Sequence, residues 1–107
     1  MAAGGGAAMP PTDSAFATEP NRPAGIRFYR ARESFFLPYS LLQALHWRGE
    51  KLVLTFLHDE VVVEGQGLHA LYVELAQFNV ARLAEQTRDG PDEGGTHVSK
   101  IDRGPRD

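Results

Sequence analysis

The clearest strand pattern of this chain lies in residues 51–64, KLVLTFLHDEVVVE. Residues 51–58 are apolar at both alternating positions, which predicts a central strand that is covered on one face and partly covered on the other. The polar residues 58–60 fit a turn, and residues 61–64 resume an extended pattern that ends near Gly65. The stretch therefore predicts two antiparallel strands joined by a short connection.

Two helices are predicted, one on each side of this hairpin. Pro38 fits a first helical turn, because proline lacks the N–H group that would have no partner there, and Gly49 fits the left-handed conformation that ends a helix. Between them, three leucines at helical spacing form the expected buried stripe: Leu41, Leu42 and Leu45. After the hairpin, the i, i+3, i+4, i+7 pattern of an amphipathic helix is formed by Leu68, Leu71, Tyr72, Leu75 and Phe78.

Shorter patterns predict two further strands. Residues 26–32 alternate between apolar and polar side chains, which is typical of a half-buried strand. The helical period fails after Phe78, so residues 80–86 are predicted to form a strand, with one long helix to residue 87 as the alternative.

The chain is predicted to hold one domain, over residues 25–88. The preceding tail, residues 1–24, has too few large apolar side chains to offset the entropy of ordering its backbone, so we expect it to be disordered. The segment 89–107 is rich in glycine and charge and is predicted to be flexible, with an edge strand at 96–101 left open.

The predicted element order is strand, helix, strand, strand, helix, strand. This α+β arrangement is the βαββαβ order of ferredoxin-like folds, in which two helices cover one face of an antiparallel sheet. Leu52, Leu54 and Phe56 would supply the core beneath the helices. A bent, Sm-like barrel with an N-terminal helix is the alternative, because the hairpin fits that fold equally well.

Composition limits the function classes. The 107 residues carry a formal net charge of −3, which gives no broad attraction to nucleic acid or to anionic membranes. Cysteine is absent, which excludes disulfides and thiolate chemistry. No stretch is long and apolar enough to cross a bilayer and the N-terminus does not resemble a secretory signal, so we expect a cytoplasmic protein without a membrane partner.

The sequence predicts no catalytic residue, no metal site and no cofactor. His58, Asp59 and Glu60 place an imidazole beside two carboxylates, but adjacent turn residues rarely converge on one point, so a solvated turn is expected. We therefore predict that the chain is not an enzyme. A small cofactor-free enzyme built at a dimer interface, using His58 and His46, is the remaining catalytic alternative.

An apolar sheet face predicts a protein-interaction module. The helices would cover one face of the sheet and leave the other open, and an uncovered apolar face usually finds a partner. A homodimer packed sheet to sheet, or docking onto another protein, is therefore the leading hypothesis. The interface candidates are Tyr29, Val53, Thr55, Leu57 and Val62.

An arginine-rich strand favours a second function. Residues 27–32 interleave guanidinium groups with aromatic rings, which is what a sheet surface needs to neutralise phosphates and stack bases. The alternative function is therefore the binding of RNA or single-stranded nucleic acid. Its candidate residues are Arg27, Tyr29, Arg30 and Arg32.

Overall fold

The computed structural model describes residues 15–19, 21–30, 32–86 and 95–106. Within these ranges the chain forms eight strands, one α-helix and one short 3₁₀ helix. In chain order these are β1 (Phe16–Thr18), β2 (Gly25–Arg30), β3 (Glu33–Pro38), the 3₁₀ helix (Tyr39–Leu41), β4 (Leu42–Arg48), β5 (Lys51–Phe56), β6 (Asp59–Gln66), α1 (Leu68–Ala76), β7 (Val80–Ala84) and β8 (His97–Pro105).

The strands form two four-stranded sheets. The first sheet has the order β1-β7-β2-β3, in which β2 and β7 run parallel and the other neighbours antiparallel. The second sheet has the order β4-β5-β6-β8 and is antiparallel throughout. The predicted ferredoxin-like α+β fold is therefore wrong. The alternative, an Sm-like barrel, is also wrong, because the described strands form two separate four-stranded sheets, and the one α-helix of the described residues follows β6.

The helix predicted between Pro38 and Gly49 is a strand, and a β-bulge explains the error. In β4, Leu42 pairs with Phe56 and Leu45 pairs with Leu54. A step of three residues along β4 therefore corresponds to a step of two residues along β5, which leaves one extra residue in β4. This extra residue turns Leu42 and Leu45 to the same face, which reproduces the i, i+3 spacing of a helix. Gly49 has the expected positive φ of 58°, but it turns a hairpin rather than ending a helix.

The hairpin of β5 and β6 has the predicted antiparallel pairing and supplies the centre of the core. Leu52, Leu54 and Phe56 are fully buried from β5, as predicted. Helix α1 is also confirmed, and it contacts β4 and β5 of the second sheet and β7 of the first. It buries three leucines in the same core: Leu68, Leu71 and Leu75.

Helix α1 ends in a Schellman motif, after which the predicted strand β7 begins. The N–H of Phe78 donates to the carbonyl of Leu75, and the N–H of Asn79 donates to the carbonyl of Glu74. Phe78 takes the left-handed conformation, with a φ of 62°, and its ring packs on that of Tyr39 at a centroid distance of 4.8 Å. The residue that takes the left-handed conformation at the end of the helix is therefore Phe78.

Both ends of the described chain contribute strands. Phe16–Thr18 pairs with β7 at one edge of the first sheet, within the segment expected to be a tail. His97–Pro105 pairs with β6 at an edge of the second sheet and buries Val98 and Ile101 completely. This strand includes residues 97–101 of the segment for which an edge strand was the alternative to a flexible tail. The parts of the domain prediction that fall on residues 1–14 and 87–94 lie outside the described residues.

Candidate functional site

The outer face of the second sheet carries most of the predicted interface residues. Val53 and Val62 are direct cross-strand partners in β5 and β6, and Thr55 follows Val53 on the same face. All three side chains are half-buried, while their strand neighbours Leu52 and Leu54 point into the core. We call this surface the valine face.

Three rows of side chains cross the valine face at right angles to the strands. The central row is His46, Val53, Val62 and Asp102; the basic row is Arg48, Lys51, Glu64 and Lys100; the third row is Ala44, Thr55, Glu60 and Gly104. The valine face therefore has an apolar centre, an end with three basic side chains and one acidic one, and an opposite end whose single charge is Glu60. Lys100 and Asp102 are ion-paired along β8 at 3.4 Å.

The other two interface candidates lie elsewhere. Leu57 is 43% exposed in the turn after β5, where its N–H donates to the carbonyl of Leu41 at 2.8 Å. Tyr29 lies in β2 of the first sheet, so it does not share a face with Val53.

The outer face of the first sheet carries two of the predicted nucleic-acid residues, together with two residues that were not predicted as part of a site. Arg27 is exposed between the buried residues Ile26 and Phe28, and Tyr29 follows it on the same face. Arg82 of β7 is the direct cross-strand partner of Arg27 on one side, and Phe36 of β3 is its partner on the other. We call the surface formed by Arg27, Tyr29, Phe36 and Arg82 the arginine face.

The remaining two arginine candidates do not belong to this surface. Arg30 forms an ion pair with Glu33 at 3.2 Å, and Arg32 lies in the turn between β2 and β3. Both line a cleft of about 220 Å³ together with Glu33 and Glu85. Because the cleft combines two basic and two acidic side chains, it has no excess of positive charge for a phosphate.

A second cleft, of about 270 Å³, lies at the turn between β4 and β5. It is lined by Glu50, Lys51, Glu64, Gly65, Gln66, His97 and Ser99. His97 is buried, but the Ser99 hydroxyl donates to the backbone carbonyl of Glu64 at 3.1 Å rather than to an imidazole. This arrangement provides no activated nucleophile.

The His58 turn and the remaining histidines form no metal centre in the described ranges. There, no three side chains among histidine, aspartate and glutamate lie close enough together to hold a metal ion. Asp59 is instead ion-paired with Arg103 at 3.2 Å. His46 lies on the exposed side of β4, and His69 packs against Trp47 with a centroid distance of 4.8 Å.

Comparisons with known proteins identify no relative of this chain. A scan against protein-family models, a search of curated proteins and a search of solved structures find no match to the chain. Among the described residues, no helix is long and apolar enough to span a membrane. The description of the chain thus rests on its own structure, which is mostly β and has two sheets, each with an exposed outer face.

Proposed function

We propose that this chain is a non-catalytic interaction module that self-associates by packing the valine face against that of a second copy. The observation that carries the proposal is the cross-strand pair of Val53 and Val62 at the centre of a four-stranded sheet face. Branched apolar side chains on an open sheet face favour sheet-on-sheet packing, because burying them in a second layer removes apolar surface from water.

The charge pattern of the valine face supports a second copy as its partner. A two-fold axis that lies along the central row would set the basic row of one copy against the third row of the other. Glu60 of the partner would then lie opposite Glu64, with Lys51 and Lys100 one strand to either side, so the net positive row would face the negative row and the two basic rows would not meet. Asp102 would lie opposite Asp102 of the partner, each ion-paired with its own Lys100. Such self-complementarity is required of the isologous interface in a two-fold dimer.

The size of the valine face predicts a weak dimer. Four strands spaced about 4.8 Å apart and five residues per strand at about 3.4 Å each cover roughly 320 Å² per copy. A stable interface buries roughly 800 Å² per partner. The contact is therefore expected to form in a concentration-dependent manner, so the oligomeric state has to be measured over a range of concentrations.

The test is sedimentation velocity on the full chain from micromolar to near-millimolar concentration, compared with Val62→Arg. The introduced guanidinium would lie opposite Asp102 in the central row, so the fold is expected to tolerate it. Ala70→Arg is the matched control, because Ala70 is exposed on α1 and the variant carries the same added charge.

We expect the parent chain and Ala70→Arg to shift from monomer to dimer with the same concentration dependence, and Val62→Arg to remain a monomer. Circular dichroism verifies that both variants are folded. A parent chain that is monomeric at every concentration, or a Val62→Arg variant that dimerises like the parent, contradicts the proposal.

A further inference from the structure

Two arginines lie side by side on the arginine face. Arg27 and Arg82 are direct partners in the parallel pair of β2 and β7, so their side chains leave the same face of the sheet side by side. Within the described ranges neither guanidinium forms an ion pair. Like charges directly opposite each other on a sheet are destabilising, and an anion bound between them would remove the repulsion.

An exposed aromatic ring lies directly beside this pair. Phe36 is 44% exposed, and the guanidinium carbon of Arg27 lies 5.5 Å from the centroid of its ring. Tyr29 lies one row further along the same face, partly exposed. Planar guanidinium groups and aromatic rings that share one surface are suited to stacking against unpaired bases.

The arginine face is positively charged although the chain as a whole is acidic. Two rows of side chains cross this face. The first row is Ala17, Arg82, Arg27 and Phe36, and the second row is Ala84, Tyr29 and Ser34. These rows contain two basic side chains and no carboxylate. The nearby Arg30 is already neutralised by Glu33. The local charge therefore complements a phosphate, which the net charge of −3 conceals.

We propose that the arginine face binds single-stranded nucleic acid, with Arg27 and Arg82 contacting the phosphodiester backbone and Phe36 and Tyr29 stacking on bases. Unpaired strands are favoured over a duplex, because a duplex keeps the faces of its bases inside its own stack. This proposal goes beyond self-association, which uses the valine face of the second sheet and does not require Arg27 or Arg82.

The test measures fluorescence anisotropy of labelled oligouridine and oligodeoxythymidine with the full chain at several salt concentrations. For single strands the logarithm of the binding constant falls by about 0.7 per decade of salt for each phosphate neutralised. Arg82→Gln is therefore expected to reduce the salt slope by about 0.7, and the double variant with Arg27→Gln by about 1.4. Arg106→Gln, which removes an exposed arginine that follows β8 and belongs to neither the arginine face nor the valine face, is the matched control and should leave the slope unchanged.

The aromatic part of the site has a separate readout. Phe36→Ser is expected to weaken oligonucleotide binding roughly 5- to 160-fold, the range that corresponds to loss of one stacked base, without changing the salt slope. Inorganic polyphosphate, which has phosphates but no bases, serves as the competitor. Because Phe36 lies on an edge strand, circular dichroism establishes that this variant is folded, and the arginine variants test the proposal independently.

The outcomes separate cleanly. A reduced slope in the arginine variants, together with weaker binding by Phe36→Ser, supports the site. Absence of oligonucleotide binding, a slope that is insensitive to Arg82→Gln, or displacement by polyphosphate that is equally efficient in the parent and Phe36→Ser overturns it. None of these results depends on the sedimentation behaviour of Val62→Arg.

Discussion

Replacement of Tyr39 by phenylalanine tests how the two sheets are joined. Tyr39 begins the 3₁₀ helix that carries the chain from β3 in the first sheet to β4 in the second. Its side chain is only 8% exposed, and its hydroxyl donates a hydrogen bond of 2.6 Å to the backbone carbonyl of Val80 in β7. Tyr39→Phe removes this hydroxyl and keeps the ring that packs on Phe78.

The expected loss of stability follows from this one hydrogen bond and from burial. Leaving a buried polar group without its partner costs about 1–3 kcal/mol, so Tyr39→Phe should lower the free energy of unfolding by that amount at neutral pH. Burial also raises the pKa of the Tyr39 phenol from 10.0 to about 12. A phenol whose pKa is raised by folding stabilises the native state fully below pH 10, and this contribution is lost between pH 10 and pH 12.

Raising the pH should lower the stability of the parent chain through Tyr39, but it should not affect the phenylalanine variant in this way. At about 1.4 kcal/mol per pKa unit, the parent chain should lose up to about 3 kcal/mol of this stabilisation across the window, and the phenylalanine variant should lose none of it. The stability gap between the two proteins is therefore expected to close as the pH rises. Urea unfolding followed by circular dichroism at a series of pH values measures the gap.

Ile101→Val is the control, because it perturbs the core without adding or removing a titratable group. Its deficit relative to the parent chain should be the same at every pH. A Tyr39→Phe gap that stays constant from neutral pH to above pH 12 would refute the account of a buried, hydrogen-bonded phenol.

Two further predictions concern β8 and Gly65, where the register between β6 and β8 shifts. Ile101 is fully buried, so Ile101→Val should cost about 0.5–1.5 kcal/mol in urea unfolding, and no loss would mean that the C-terminal segment does not pack on the core. At Gly65 an added Cβ would lie 1.9 Å from the carbonyl oxygen of His97, so Gly65→Ala should cost at least about 1–3 kcal/mol in thermal unfolding, because β8 must shift. Gly104→Ala, where a Cβ would meet nothing within 4 Å, should change stability by less than about 0.5 kcal/mol, and equal effects at the two glycines would contradict the close approach.

Local patterns predicted the centre of this fold, because their signals lie within single elements. The apolar alternation of Leu52, Leu54 and Phe56 and the leucine spacing of α1 are each set by the period of one element. The failure of the helical period at Phe78 also correctly predicted β7 as a strand.

Pairings between distant segments could not be predicted from such patterns. The bulge in β4 placed Leu42 and Leu45 at helical spacing, and only the register with β5 distinguishes that strand from a helix. The parallel pairing of β2 with β7 joins residues far apart in sequence, so nothing local indicated that Arg82 lies beside Arg27. The sequence did indicate that Arg82 is not part of a longer helix, because a charged residue at this position would interrupt the apolar stripe of that helix.

The two candidate sites were predicted to different extents. Val53, Thr55 and Val62 share a face because alternation within the predicted hairpin already puts them together. Tyr29 was grouped with them because one sheet was expected where the chain forms two. Arg30 was grouped with Arg27, although alternation turns it away and Glu33 neutralises it.

Cross-linking through one introduced cysteine tests whether two copies of the chain associate through the valine face. The chain has no native cysteine, so Val62→Cys gives a single reactive site at the centre of this surface. A two-fold axis along the central row sets residue 62 of one copy opposite residue 62 of the other, and packed sheets lie about 10 Å apart, within the span of a short bifunctional thiol reagent. We predict that Val62→Cys gives a covalent dimer in high yield and that Ala70→Cys, on the exposed side of α1, gives only the collisional background. Equal yields from the two positions would contradict the account.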